Sequence, residues 1–107
     1  MKVVIEAPFT VTEEKRGIIK DKINDLNKYN IKMTQANVFF KLDDGAKPNS
    51  VTAEIQLRVK GPVLFASSNA GEYMEAFGKT LLQVERQLRD KNDKRSDKHK
   101  ESIWKQF

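Results

Sequence analysis

The sequence contains no cysteine and a single histidine. Without thiols the chain can form neither a disulfide scaffold nor a thiolate metal site, which fits a reducing compartment. The histidine, His99, lies in a charged segment, where a solvated side chain is a far commoner role than a metal ligand. The apolar run at residues 3–5 is too short for a signal peptide or a membrane span. We therefore expect a cytoplasmic protein without a metal, a cofactor or a membrane contact.

Motifs of catalysis are also missing from the sequence. There is no phosphate-binding loop and no nucleophile motif. Asp43 and Asp44 form an acidic pair, but they precede Gly45 and have no third group to orient them. Asp-Gly is common turn chemistry, so a turn is the better interpretation of this pair. We expect the protein to have no enzymatic activity and no small-molecule substrate.

The positive charge is concentrated near the C-terminal end. Residues 1–85 carry 12 Lys and Arg against 11 Asp and Glu, whereas residues 86–107 carry 8 against 4. A basic end on a nearly neutral domain favours a polyanionic partner such as nucleic acid. A lysine-rich tail that only aids solubility is the alternative, and charge alone does not decide between them.

The apolar residues repeat with the periods of both helices and strands. A short strand at residues 2–6 precedes Thr10-Val11-Thr12-Glu13, whose spacing predicts a capping box with Thr10 as the N-cap. A helix should then extend to about Tyr29, burying Ile19, Ile23 and Leu26. Alternation predicts strands at residues 35–42 and 51–60, separated by a loop, and a shorter strand through Leu64 and Ala66. Val38, Phe40, Ile55 and Leu57 should be buried on the first two of these strands.

A second helix is predicted after the last strand. Ser68 or Asn69 can cap it, and its buried stripe should comprise Tyr73, Phe77, Leu81, Val84 and Leu88. Beyond about Arg95 the apolar pattern stops. Residues 1–95 are therefore expected to form one domain and residues 96–107 a flexible charged tail, ending in the apolar Ile103, Trp104 and Phe107.

The element order β-α-β-β-β-α indicates an α+β two-layer sandwich. The first helix connects two parallel strands, and the remaining strands follow one another through turns and should be antiparallel. One apolar face on each strand and one stripe on each helix are all buried when both helices cover one face of a four-stranded, mixed but mostly antiparallel sheet. The β-β-β-α portion is similar to double-stranded-RNA-binding domains.

Basic residues on the second helix are candidates for RNA contact. Lys79, Arg86 and Arg89 lie opposite its apolar stripe on a helical wheel. The complete candidate set is Lys79, Arg86, Arg89, Lys91, Lys94 and Arg95, with Arg16, Lys20 and Lys28 of the first helix as weaker members. Cations along a helix edge suit a phosphate backbone, although an ordinary solvated face has the same composition.

Two aromatic residues should point away from the helices. Phe39 and Phe65 occupy the outer face of the predicted sheet, near Arg58. Exposed aromatics on a sheet can stack RNA bases. The Gly-Phe-aromatic clusters of RNA-recognition modules are absent, so packing against neighbours such as Val4 is the favoured interpretation.

Several segments taken in order resemble a known family. They are Val11-Thr12-Glu13 with Arg16, Ala36-Asn37-Val38-Phe39-Phe40, Gly61 followed by Leu64-Phe65-Ala66, Glu72-Tyr73-Met74-Glu75-Ala76-Phe77, and Arg86-Gln87-Leu88 with its lysine-rich continuation. Over roughly residues 1–95 the chain resembles the short form of the ribosome hibernation-promoting factor and ribosome-associated translation inhibitor family. The chain departs from the family pattern at Glu72, at the order Tyr73-Met74, at Gly78 and at Gln83, where a basic residue is common.

The resemblance implies a function on the ribosome. Members of this family bind the small ribosomal subunit and its rRNA near the decoding centre, and they overlap the paths of mRNA and tRNA in starved or stationary cells. Two alternatives remain open: a module that binds structured RNA in general, and a protein-binding regulator without an RNA role, as an older family label of sigma-factor modulation implies.

Overall fold

A computed structural model of the protein describes residues 1–29, 31–43, 50–59, 61 and 63–105, and side chains except those of 43 and 92–105. The elements are β1 (Lys2–Glu6), α1 (Glu13–Asn24), a 3₁₀ helix (Asp25–Tyr29), β2 (Met33–Asp43), β3 (Ser50–Val59), β4 (Val63–Ala70) and α2 (Tyr73–Lys105). The predicted element order is confirmed. The predicted turn at Asp44-Gly45 lies outside the described residues.

The four strands form one sheet in the order β1-β2-β3-β4. β1 pairs in parallel with β2, with Val3 opposite Ala36, and α1 is the connection between these two strands. β2 and β3 are antiparallel, as are β3 and β4, with Ile55 opposite both Val38 and Ala66. The mixed, mostly antiparallel sheet is the one predicted from the sequence.

The core lies between the sheet and the two helices. Buried side chains alternate along β3, where Val51, Ala53, Ile55, Leu57 and Val59 all contact the core. The predicted core residues that are buried are Ile19, Ile23, Leu26, Val38, Phe40, Ile55, Leu57, Phe77, Leu81, Val84 and Leu88. The helices bury one face of each strand and leave the opposite face of the sheet uncovered.

Tyr73 is half-buried, although we predicted that it would be buried. Its ring contacts Phe9 and Phe40, with centroid separations of 4.8 Å and 5.4 Å. The Lys15 ammonium lies 4.9 Å from the centre of the same ring. Tyr73 therefore closes the edge of the core, where an aromatic ring can keep one side exposed to a cation and to water.

The N-cap of α1 is Thr12, and the prediction of Thr10 was wrong. Thr12 has an extended backbone, and its Oγ1 accepts a hydrogen bond from the Lys15 backbone N–H at 3.3 Å. Glu13 and Glu14 then occupy the first turn, where negative charge favours the helix dipole. Two threonines separated by one residue offer equivalent caps, so their spacing alone could not identify the right one.

The predicted caps of α2 were also wrong. Ser68 and Asn69 belong to β4, and α2 begins only at Tyr73. Asn69 Nδ2 donates hydrogen bonds to Ser50 Oγ and Thr52 Oγ1, both at 3.1 Å. Asn69 therefore bonds across the sheet, because an amide group serves a strand neighbour as well as a helix terminus.

The backbone of α2 continues to Lys105. It therefore includes residues 96–105, which the sequence assigns to the tail, in helical conformation. The division at residue 95 and the mobility of the tail in solution stay predictions. The predicted apolar tip falls partly outside the described residues, because nothing is described beyond 105.

Candidate nucleic-acid interface

The outer face of α2 carries the basic strip, a name used here for Lys79, Arg86 and Arg89. All three side chains are exposed, whereas Phe77 and Val84 on the opposite side of the helix are buried. The periodicity of α2 produces this separation, because burying one stripe against the sheet leaves the opposite positions in solvent. The prediction that these three cations share an exposed helix face is confirmed.

The charges of the basic strip are unevenly compensated. Lys79 Nζ lies 3.8 Å from Glu75 Oε1, four residues earlier on the exposed helix surface. Arg86 and Arg89 form no ion pair with any side chain that the structure describes. The two guanidinium groups are therefore the strip's best candidates for phosphate contacts, since no internal carboxylate must be displaced first.

An exposed leucine interrupts the strip. Leu82 is 57% exposed and lies between Lys79 and Arg86 along the helix. Leu82 belongs neither to the apolar stripe of α2 nor to its cations, so the sequence analysis did not single it out. The signal was nevertheless present, because a leucine opposite a buried stripe departs from the expected binary pattern.

Lys91 does not continue the basic strip as predicted. Its side chain is half-buried, and it lies seven residues after the buried Val84, on the side of α2 that faces the sheet. Seven residues make nearly two helical turns, so the two positions share a face. Lys94 and Arg95 lie on the α2 backbone, but their side chains are outside the described set.

Arg16 and Lys20 lie on α1, away from the basic strip. Arg16 is half-buried and Lys20 is exposed. Lys22 of α1 borders the groove between the helices, and at 100° per residue Arg16 and Lys20 lie about 120° and 160° away from it. The structure therefore does not gather these two cations with the strip on α2.

Lys28 is held by its own helical turn. Its Nζ lies 3.4 Å from Asp25 Oδ2 and 5.4 Å from the centre of the Tyr29 ring. The hydrogen bond and the negative charge of Asp25 raise the pKa of Lys28 above its ordinary value, so the ammonium is charged at neutral pH. This cation already has a carboxylate partner, which weakens its candidacy as a phosphate contact.

The groove between α1 and α2 is acidic. Asp21, Lys22, Asp25, Leu81 and Glu85 border it. Three carboxylates line the groove, against Lys22 in the lining and Lys28 paired with Asp25 beside it, and this excess of negative charge disfavours a phosphate backbone in this position. The groove therefore separates the basic strip from the cations of α1, and the candidates form separate patches.

Two glutamines on α2 direct their side chains to the sheet. Gln83 donates a hydrogen bond from Nε2 to Ser68 Oγ, and Gln87 donates one to the Phe65 carbonyl oxygen at 2.9 Å. Gln83 occupies the position where the resemblance led us to expect a basic residue. Its contact with β4 shows that this position has a structural role, which joins the helix to the strand.

The open face of the sheet presents Phe65 and Arg58. Phe65 is 49% exposed, Arg58 is exposed, and Phe39 is half-buried. The predicted outward orientation is therefore confirmed for both aromatics. The expected packing against neighbours describes Phe39 better than Phe65.

The described residues contain no group of three or more His, Cys, Asp or Glu side chains placed to hold a metal ion. Within the same part of the chain, no helix has the length and apolar character needed to cross a membrane.

Comparison with known proteins identifies the family. No curated protein sequence matches the chain significantly. The chain is similar in structure to the N-terminal domain of Protein Y from Thermus thermophilus, with a TM-score of 0.69 and 19% identity, covering 84% of this chain and 98% of that one. It is also similar to a ribosomal subunit interface protein from Coxiella burnetii, with a TM-score of 0.70 and 10% identity, covering 87% and 99%. At these identities the two structures support the fold. The sequence profile described as "Sigma 54 modulation protein / S30EA ribosomal protein" matches residues 4–96, so the chain belongs to this family.

Proposed function

We propose that the protein is a cytoplasmic translation inhibitor that binds the small ribosomal subunit near the decoding centre and excludes mRNA and tRNA. The proposal rests on the family match over residues 4–96, because the description of that family includes a ribosomal protein. The structurally similar protein of Coxiella burnetii is likewise described as a ribosomal subunit interface protein. A role as a hibernation factor in starved or stationary cells belongs to the same proposal.

The surface of α2 supports contact with rRNA. Arg86 and Arg89 offer planar donors to phosphate oxygens, and Lys79 adds a third positive charge on the same exposed face. Ten residues separate Lys79 from Arg89, a rise of about 15 Å along the helix axis. A rigid helix of this length can contact several phosphates at once, recognising the backbone and its shape instead of a base sequence.

The proposed mechanism is steric. A protein that occupies the mRNA and tRNA paths inhibits translation by mutual exclusion and needs no bond to be made or broken. The buried core and the continuous sheet give the domain the rigidity that such a block requires. Inhibition is then stoichiometric and reversible when raised salt weakens the phosphate contacts.

Sedimentation with purified small subunits tests the proposal. The full chain is mixed with small subunits and an excess of free double-stranded RNA, and the protein in each fraction is measured at several salt concentrations. Co-sedimentation with subunits that survives the duplex competitor supports the proposal. Equal retention by free duplex would identify a general RNA-binding module. Absence from the subunit fraction, or binding that does not respond to salt, would favour a protein-binding regulator.

A further inference from the structure

We propose that the open face of the sheet carries a second RNA contact, in which one unpaired nucleotide stacks its base on Phe65 while Arg58 binds its phosphate. This inference rests on the proposed function for its ligand class, and it assigns a role to the layer of the protein opposite the basic strip. The site consists of residues on β3 and β4.

Phe65 and Arg58 are neighbours on one face of the sheet. Phe65 pairs with Gln56, and Arg58 pairs with Val63, so the ring and the guanidinium group occupy diagonal positions. Diagonal positions on an antiparallel pair are about 7–8 Å apart, within reach of long and aromatic side chains. The exposed half of the ring and the cation can therefore contact the same nucleotide.

The charge of Arg58 is free to act on a ligand. The other diagonal neighbour of Phe65 is Glu54, and its Oε1 lies 2.9 Å from Lys41 Nζ. That carboxylate is only 19% exposed and already has a cationic partner. Arg58 forms no ion pair with any described side chain. The surroundings of the ring are thus positive, which suits a phosphate and disfavours an acidic group.

The backbone that carries the aromatic platform is fixed. The Phe65 carbonyl oxygen accepts the 2.9 Å hydrogen bond from Gln87 Nε2, and β4 pairs with β3 from Val63 to Ala70. A fixed backbone reduces the conformational freedom that is lost when a base stacks on the ring. Gln87 is the residue after Arg86 of the basic strip. Helix α2 therefore carries the strip and also bonds to the strand that carries the platform.

The polar residues around the ring favour a nucleotide over an apolar protein segment. Gln56 lies opposite Phe65 and is half-buried, so its amide group is partly accessible beside the ring. Side-chain amides can donate to and accept from the edges of a base. The exposed apolar part of this surface is limited to Val63 and Phe65 among the large hydrophobic residues of β3 and β4. One base covers such a patch.

Three variants of the full chain test the platform. Phe65→Leu removes the aromatic ring and keeps an apolar side chain, Phe65→Tyr keeps the ring, and Arg58→Gln removes the charge. The probes are a short single-stranded RNA containing the fluorescent base 2-aminopurine, and purified small subunits. Thermal unfolding of each variant confirms that the fold is retained.

Phe65→Leu should weaken oligonucleotide binding about thirtyfold, the middle of the range for loss of one base–aromatic stack, and should abolish the fluorescence quenching. Phe65→Tyr should behave as the unmodified protein. Arg58→Gln should lower the dependence of log K on log salt by about 0.7, as expected for one phosphate of a single strand. Phe65→Leu and Arg58→Gln should also weaken binding to small subunits, and Phe65→Tyr should leave it unchanged.

Two results would overturn the inference. Either Phe65→Leu binds both probes as the unmodified protein does, or the unmodified protein quenches no 2-aminopurine fluorescence. Failure of the proposed function is distinguishable from these results. If the unmodified protein quenches the oligonucleotide through Phe65 but does not sediment with small subunits, the platform stands and the ribosomal role falls.

Discussion

Glycine occupies interior positions of both helices, where the fold does not require it. A Cβ added at Gly17 in α1 or at Gly78 in α2 would meet no heavy atom within 4 Å other than the local backbone of its own helix. Replacing either residue by Ala should therefore stabilise the protein by about 0.5–1 kcal/mol, because Gly loses more backbone entropy in a helix. The free energy of unfolding from urea titration measures the change.

Gly61 provides the matched control for these substitutions. Its φ of +111° lies in a region that residues with a Cβ rarely adopt. Gly61→Ala should therefore lower the free energy of unfolding, although it also has open space around the added Cβ. If Gly17→Ala and Gly78→Ala are as destabilising as Gly61→Ala, local space and backbone conformation are not what determine their effects.

The hydroxyl of Thr80 is the buried polar contact between α2 and β3. Its side chain is fully buried, and Oγ1 lies 3.0 Å from the Ala53 carbonyl of β3 and 2.8 Å from the Ala76 carbonyl of α2. Thr80→Val keeps the shape and removes the donor, so it should cost about 1–3 kcal/mol of stability. Thr80→Ser keeps the donor and loses a methyl group. Equal urea midpoints for Thr80→Val and the unmodified protein would show that the bond contributes little.

The elements could be predicted from the sequence where burial determines them. The alternation from Val51 to Val59 predicted β3 because each alternate side chain must enter the core. The caps could not be predicted in the same way, because the side chains of Ser68 and Asn69 found other partners, Ser68 on α2 and Asn69 on β3. The basic strip followed from helical periodicity. Lys91 was placed wrongly because the prediction extended the strip by sequence proximity and not by the angle around the helix.

The basic strip on α2 should determine affinity for the small subunit. Changing Lys79, Arg86 and Arg89 together to Gln should weaken binding, and the slope of log K against log salt should fall by about 0.9 for each phosphate that the variant no longer neutralises. Surface substitutions of this kind usually change stability by less than about 0.5 kcal/mol, so the thermal midpoint should hardly move. Sedimentation at several salt concentrations supplies both the affinity and the slope.

The control for this variant changes Lys2, Lys22 and Lys32 to Gln. These lysines are exposed and lie outside α2, and their replacement alters the net charge by the same amount. The control should bind nearly as the unmodified protein does. Equal weakening of both triple variants would show that only net charge matters and that the strip is an ordinary solvated face.

At the scale of the whole molecule, the charged side chains form separate patches. The packing of the helices determines where these patches lie. The acidic groove around Asp25 and Glu85 lies between the cations of α1 and those of α2. The composition predicted an excess of positive charge. It could not show that the cations of α1 and α2 are separated, because this separation depends on how the helices pack. Arg58 and Phe65 likewise come together only through the β3–β4 register.

A rigid domain that blocks a channel should compete with the molecules that use it. The sheet and both helices pack around one core, to which α2 contributes residues as far as Leu88. If the protein occupies the mRNA and tRNA paths, bound mRNA and tRNA must weaken its binding by the factor by which it weakens theirs, because linkage is reciprocal.

The measurement adds increasing protein to small subunits carrying labelled mRNA and initiator tRNA. We expect one protein per subunit to release both labels, and raised salt to restore their binding. Retention of protein, mRNA and tRNA on the same subunit at saturation would contradict steric exclusion, and irreversible inhibition at substoichiometric protein would require a catalytic activity instead.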